Sequence, residues 1–290
     1  MNISKYEYHA PRTVEEACAL LDRLGEGTVV MAGGTDLLIK IRHGLLNPEA
    51  VVDLKRIKDL DGISFDRRKG LRIGATALLA DVASHRDIQR RYPAVAYAAG
   101  ETANVQIRNM GTVGGNLCNA APSADNAPTL TAMEATVTLV STHGERHLKL
   151  EEFFQGPGKT AAKTGEVLTS IFVPLPPSRS GASYQHISAR GKVDIAAVGV
   201  GVMLTANDTR CETARIVLGA VAPVPMRARK SEDLLQGATV TPGLAEKAGL
   251  EASREAKPIS DVRASARYRK ETVAVLAKRA ILEAWSRAVG

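Results

Sequence analysis

The chain has 290 residues, 44% of them hydrophobic and 24% charged, with a formal net charge of +7. That balance is ordinary for a soluble globular protein. Aromatic residues make up only 4% and the basic residues are scattered, so the charge reads as a solvated face, with an acidic partner protein as the second reading and no nucleic acid expected.

The longest uncharged apolar run, Ile195 to Asn207, is too short and too interrupted by glycine to span a bilayer. Met1 to Arg12 carries charge and proline instead of the apolar stretch of a secretory leader, so a cytoplasmic location is expected. Cys18, Cys118 and Cys211 lie far apart with no Cys-x-x-Cys pair, which excludes a zinc or iron–sulfur centre held by this chain alone.

In chain order, Thr13-Val14-Glu15-Glu16 is a capping box, and Ala17, Leu20, Leu21 and Leu24 follow at helical spacing until Gly25 and Gly27. Thr28 to Met31 predicts a strand, Asp36 to His43 a short helix, and Ala50 to Leu54 another strand. Residues 1–55 therefore read as a small β-α-β unit. Its turn is Ala32-Gly33-Gly34-Thr35-Asp36. Two adjacent glycines let backbone N–H groups approach a phosphate with no Cβ in the way, and a helix start adds unpaired donors and the positive end of a dipole. The plainer alternative is that the glycines only make the turn.

Residues 56–177 read as a second unit. Asp61 to Phe65 and Leu71 to Ala75 predict a hairpin, Ala80 to Arg91 and Pro93 to Ala103 predict helices, and Ala135 to Ser141, Arg146 to Leu150 and Gly165 to Val173 predict further strands of an antiparallel sheet. This unit holds a second glycine pair in Thr112-Val113-Gly114-Gly115-Asn116, followed by Cys118 and by Ser123-Ala124-Asp125. Two separated glycine turns suit the two ends of one elongated diphosphate ligand.

Pro174 to Ser178 reads as a linker. In residues 178–290, Ser183 to Ser188, Ala196 to Thr205 and Arg215 to Ala220 predict three strands, and Arg227 to Leu235, Leu244 to Glu255 and Tyr268 to Val289 predict helices. The last helix carries Val273, Leu276, Ala277, Ala280, Ile281, Ala284 and Trp285 on one face, a core stripe. The fold class expected is α+β: a two-part domain of the β-α-β and antiparallel-sheet units, then a C-terminal domain of three antiparallel strands and a helix bundle. No G-x-G-x-x-G follows a strand, and neither G-x-x-x-x-G-K-[ST] nor H-E-x-x-H occurs, so a dinucleotide fingerprint, a P-loop and a zincin are unsupported.

Ala32-Gly33-Gly34-Thr35, the run from Thr112 to Asp125, and Arg190-Gly191-Lys192-Val193-Asp194-Ile195-Ala196 together resemble the FAD-binding medium subunit of molybdenum hydroxylases, the family of xanthine dehydrogenase, carbon monoxide dehydrogenase and 4-hydroxybenzoyl-CoA reductase. Gly219 to Arg229 and Asp261 to Arg269 are similar to its C-terminal signatures.

The resemblance implies FAD lying between the first two units. Ala32, Gly33, Gly34, Thr35 and Asp36 would wrap the diphosphate, with the Asp36 carboxylate turned away. Thr112, Gly114, Gly115 and Asn116 would hold the phosphate and ribityl side, and Asp125 would accept from ribityl or ribose hydroxyls. Ile195 would pack near the isoalloxazine ring beside an Arg190–Asp194 ion pair. Cys118 would stand close to the flavin or be a buried inert thiol, and Arg108 would meet phosphate or fix its loop.

No histidine precedes or sits within the glycine motifs, which implies non-covalent FAD. The cysteine-rich insertion that carries a 4Fe–4S cluster in 4-hydroxybenzoyl-CoA reductase is missing. The molybdenum cofactor and 2Fe–2S clusters are expected on a large and a small partner subunit, with NAD, a quinone or another carrier as acceptor and a dimer of heterotrimers as the assembly. This chain would then hold no metal and need no catalytic residue. A self-sufficient flavin oxidase or dehydrogenase would need a substrate pocket with a base. A non-catalytic basic binding module would use the glycine turns structurally and be colourless.

Overall fold

The computed structural model describes residues 5–191 and 194–290; Lys192 and Val193, within the third family-like segment, lie outside the described residues. The chain opens with strand β1 (Glu7–His9) and helix α1 (Val14–Leu24). The Thr13 hydroxyl accepts the Glu16 N–H at 3.1 Å, and the Glu16 carboxylate accepts the N–H of Arg12 at 2.7 Å. The capping box thus closes one residue early, on Arg12 instead of Thr13.

Strand β2 (Thr28–Met31), helix α2 (Leu37–Arg42) and strand β3 (Ala50–Asp53) complete a parallel sheet of order β1-β3-β2. The sequence pattern missed β1. Its Glu-Tyr-His has no apolar alternation, and pairing with buried β3 alone makes it a strand.

The middle unit runs through β4 (Ile63–Asp66), β5 (Gly70–Gly74), α3 (Leu79–Ser84), α4 (Arg86–Arg91), α5 (Pro93–Glu101), α6 (Val105–Arg108), α7 (Val113–Cys118) and α8 (Asn126–Ala132). It continues with β6 (Thr136–Ser141), β7 (Gly144–Lys149), α9 (Leu150–Phe153), β8 (Phe154–Gly156), β9 (Lys159–Thr160) and β10 (Val167–Pro174). Its sheet is antiparallel throughout, in the order β4-β5-β10-β6-β7.

The single helix expected over 80–91 is two. His85 is extended, with φ −65° and ψ 124°, and the Gln89 side chain covers the Ala83 carbonyl at 3.1 Å, so a side-chain bond satisfies a carbonyl near the break.

Beyond the linker come β11 (Ser180–Ser188), β12 (Ala196–Asn207), β13 (Arg210–Gly219) and the two-residue β14 (Met226–Arg227), one antiparallel sheet in that order. Helices α10 (Arg229–Leu235), α11 (Pro242–Glu255) and α12 (Ala266–Val289) follow. The three expected strands are present and longer, and β14 joins them as a short fourth whose Arg227 lies within the span expected to be helical, Arg227 to Leu235.

Strand β12 is buried on both faces. Val198, Val200, Val202 and Leu204 join the core made with α11 and α12, while Gly199 and Gly201 face the other way, toward Tyr184 and α8. Pro128 of α8 sits in the notch left by Gly201 and by Gly219 of β13. A Cβ on Gly201 would lie 2.7 Å from the Pro128 carbonyl carbon, and one on Gly219 would lie 2.7 Å from Pro128 Cγ.

Arg269 fastens the loop before α12. Its guanidinium, 3% exposed, donates to Ala197 O at 2.6 Å, Ala220 O at 2.8 Å and Asp261 Oδ1 at 2.8 Å. Among the described residues no helix is long and apolar enough to cross a membrane, and no cluster of His, Cys, Asp and Glu is arranged to hold a metal.

Candidate cofactor site

The turn after β2 has the shape that the paired glycines require. Gly34 takes φ +73°, a left-handed conformation, and the chain then enters α2. The Gly34 and Asp36 carbonyls accept amides of α2, but among the described residues nothing accepts the backbone N–H groups of Gly33, Gly34, Thr35 or Asp36. Four consecutive free donors around a left-handed glycine make an anion-binding concavity. The exposed Asp36 side chain makes no cap to α2.

The second turn is built differently. Gly114 donates to Ala75 O at 3.0 Å, Gly115 to the Thr112 hydroxyl at 3.0 Å, and Asn116 to Thr112 O at 2.9 Å. These amides are engaged within the protein. What the turn offers a ligand is close approach and side chains, and its glycines are explained by contact. A Cβ on Gly114 would lie 2.5 Å from Ala75 O, and one on Gly33 would lie 2.2 Å from Met110 O. The two turns therefore touch backbone to backbone.

Between them lies a cavity of about 630 Å³, within the range of small-molecule sites. Ala32, Gly33, Gly34, Thr35, Asp36, Thr112, Gly114, Gly115, Asn116 and Cys118 all line it. Lys40 lines it too, and its ammonium crosses from α2 to Asn119 Oδ1 at 2.7 Å, joining the two units over the cavity. Sequence reasoning missed Lys40, although it stands one helical turn after Asp36. Glu166, also on the wall, is bound by Arg146 at 2.6 Å, a hydrogen bond that holds its carboxyl below the ordinary value.

The two readings of Arg108 are separated: its guanidinium donates to the Thr102 and Ala103 carbonyls at 3.1 and 3.0 Å, so it fixes the loop. Cys118 is exposed to the cavity, not enclosed in the core. The protein atoms crowded around it desolvate the thiolate and push its thiol up to about 12. It is a neutral thiol at physiological pH and a poor nucleophile.

Asp125 and Ile195 stand apart from this cavity. Asp125 accepts the Tyr184 hydroxyl at 2.7 Å, in the seam between α8 and β11. Tyr97, Tyr184 and His186 pack ring against ring there, and His186 Nε2 lies 3.8 Å from Glu101 Oε2. Ile195 is 45% exposed. Its N–H is donated to Asp194, which Arg190 binds at 3.1 Å and whose carboxyl that bond holds down at about 2. The Arg190–Asp194 pair is thus present beside Ile195.

Burial raises the Asp125 pKa above its ordinary 3.8, outweighing the Tyr184 hydrogen bond and the nearby His186. A carboxyl raised in the folded state binds more protons folded than unfolded, so its contribution to stability is lost as pH rises from that ordinary value through the raised one. Asp125→Asn should therefore gain in melting temperature relative to the parent as pH increases over that interval. A difference between the two proteins that stays constant with pH would remove the assignment.

Residues 4–176 match the FAD-binding domain of molybdopterin dehydrogenases, and residues 182–284 match the C-terminal domain of carbon monoxide dehydrogenase flavoproteins. The chain is 33% identical to the carbon monoxide dehydrogenase medium chain of Afipia carboxidovorans, covering 98% of each. It is 30% identical to a putative xanthine dehydrogenase FAD-binding subunit of Escherichia coli, covering 98% of this chain and 97% of the other. In structure it resembles a chain of carbon monoxide dehydrogenase from Hydrogenophaga pseudoflava, with a TM-score of 0.95 at 33% identity over 99% of both chains.

Proposed function

The chain belongs to the FAD-binding medium subunits of the molybdenum hydroxylases, and we propose that within such an oxidoreductase it carries electrons from the 2Fe–2S clusters of a small partner subunit to an external acceptor. A large partner subunit would hold the molybdenum cofactor at which the substrate is oxidised. The relatives' own names, medium chain and FAD-binding subunit, support a place in a larger assembly. NAD or a quinone would serve as acceptor, in a cytoplasmic dimer of heterotrimers. The working division of the chain is 1–55, 56–177 and 178–290.

One observation carries the cofactor reading: the four free amides of Gly33 to Asp36 belong to residues that line a cavity of dinucleotide scale. They fit a diphosphate, which needs donors and no Cβ in the way. When bound, FAD supplies the redox chemistry.

The chain's own part is to bind and orient. The first turn would hold the diphosphate, Lys40 would add a positive charge at its edge, and Thr112, Gly114, Gly115 and Asn116 would close the opposite side. Asp125 and Ile195, outside the cavity wall, would meet the part of the cofactor that extends toward the seam with β11 and β12.

The visible spectrum of the purified chain tests the reading, with the flavin released by denaturation and identified. Intact FAD released without covalent attachment is the expected result. A colourless chain that refuses FAD both alone and with its partner subunits would refute it and favour a binding module.

A further inference from the structure

A run of hydrogen bonds that joins the cavity-lining Thr102 and Asn116 through Asn126 has a direction fixed by counting donors and acceptors. The Ala98 carbonyl on α5 can only accept, and it takes the Thr102 hydroxyl proton at 2.9 Å. That is the one proton Thr102 Oγ1 carries, so toward Asn126 it can only accept. The Asn126 atom 3.1 Å from it is therefore the amide nitrogen. The same nitrogen lies 3.1 Å from the Asn116 side chain, which must present its oxygen there.

Asn126 is 1% exposed and Thr102 is 8% exposed, so water has little room to replace these bonds. Asn116 lines the cavity, and with its oxygen held from behind, its NH2 group is the end left for a ligand. Among the described residues nothing accepts from that group.

We infer that Asn126 is a positioning residue, which turns the Asn116 amide so that the second glycine turn meets its ligand with side-chain N–H donors. The partner atom is then an acceptor oxygen, such as one of a phosphate, and not a hydroxyl that needs an acceptor itself. The arrangement answers a deficit, because the backbone amides of Gly114, Gly115 and Asn116 are already engaged. The inference rests on the FAD reading above and adds to it the polarity of one contact and the residue that sets it.

Asn126→Asp keeps the shape and reverses the sign. A carboxylate there would accept from the Asn116 NH2 and rotate the amide oxygen into the cavity. The test is the FAD dissociation constant of the full-length apo chain, read from flavin fluorescence, with Asn126→Asp measured in the parent and in an Asn116→Ala background.

The expected loss is about tenfold or more in the parent and under about twofold once Asn116 is gone. In the parent, the side-chain amide resonance of Asn116 should shift on adding FAD, and in Asn126→Asp it should not. Thr102→Val, which removes the acceptor that orients Asn126, provides a second route should the aspartate variant fail to fold. It should weaken FAD by about threefold or more, again only when Asn116 is present.

A parent chain that binds no FAD overturns the FAD reading and this inference with it. A parent that binds FAD, with penalties at position 126 or 102 undiminished in Asn116→Ala, overturns this inference alone.

Discussion

Gly33→Val should abolish FAD binding while leaving a chain that folds. A Cβ at Gly33 falls 2.2 Å from Met110 O and 2.8 Å from Gly111 Cα, and both are backbone atoms that no rotamer change can move away. The two turns must part to admit it. Parting them spreads the free amides of Gly33 to Asp36 and widens the cavity beside the first turn. Losing two charge-assisted hydrogen bonds to a diphosphate weakens binding by about a hundredfold or more.

Gly34→Ala is the graded comparison. At φ +73° any side chain is strained, but its Cβ meets only the flexible ends of Leu38 and Met31, at 3.2 Å. A smaller loss of roughly tenfold follows from strain of the usual size for a non-glycine residue there. Titration of each apo variant with FAD, beside its thermal unfolding without FAD, measures both effects. Normal flavin content in Gly33→Val would mean that the contact between the turns does not shape the site.

Gly201→Val should be the most damaging change in the C-terminal half. Its Cβ would stand 2.7 Å from the carbonyl carbon and oxygen of Pro128 and 2.8 Å from the Thr129 nitrogen. This is helix backbone, held in place by a buried α8, so either β12 or the helix must shift. A cost above about 3 kcal/mol is expected, at the upper end for overpacking.

Thermal unfolding in saturating FAD reads that cost separately from cofactor loss, and the drop should be about 6 °C or more. Gly243→Ala in the first turn of α11 is the matched control, because nothing lies within 4 Å of its Cβ. It should leave stability unchanged or slightly higher.

The sequence makes some of this legible and not the rest, for physical reasons. The capping box at Thr13, the alternation of β6 and the two glycine pairs depend on neighbours a few residues away, so pattern reaches them. The free amides of the first turn follow from strand, paired glycines and helix in succession.

The engaged amides of the second turn do not. They depend on Ala75, which comes to Gly114 through the fold of the middle unit. Strands β1 and β14 are too short to show a period and exist through their partners β3 and β13. Lys40, Tyr184 and Asn126 carry no motif, and each is placed by a contact distant along the chain: Asn119, Asp125 and Thr102 respectively. The opening of Cys118 onto the cavity is likewise a property of the space between two units.

Helix α8 has a mechanical consequence. All seven of its residues are buried, and its proline falls in the first turn, where the missing N–H does no harm to the helix. At about 10 Å it is too short to bend appreciably. One end begins at Asp125 and Asn126, behind the cofactor wall, and Pro128 is keyed between Gly201 and Gly219 of the C-terminal sheet. A displacement of that sheet is therefore transmitted to the wall as rigid-body motion, with no soft segment to absorb it. Among the described residues the C-terminal third contributes none to the cavity lining, and it acts on the wall of that cavity through leverage alone.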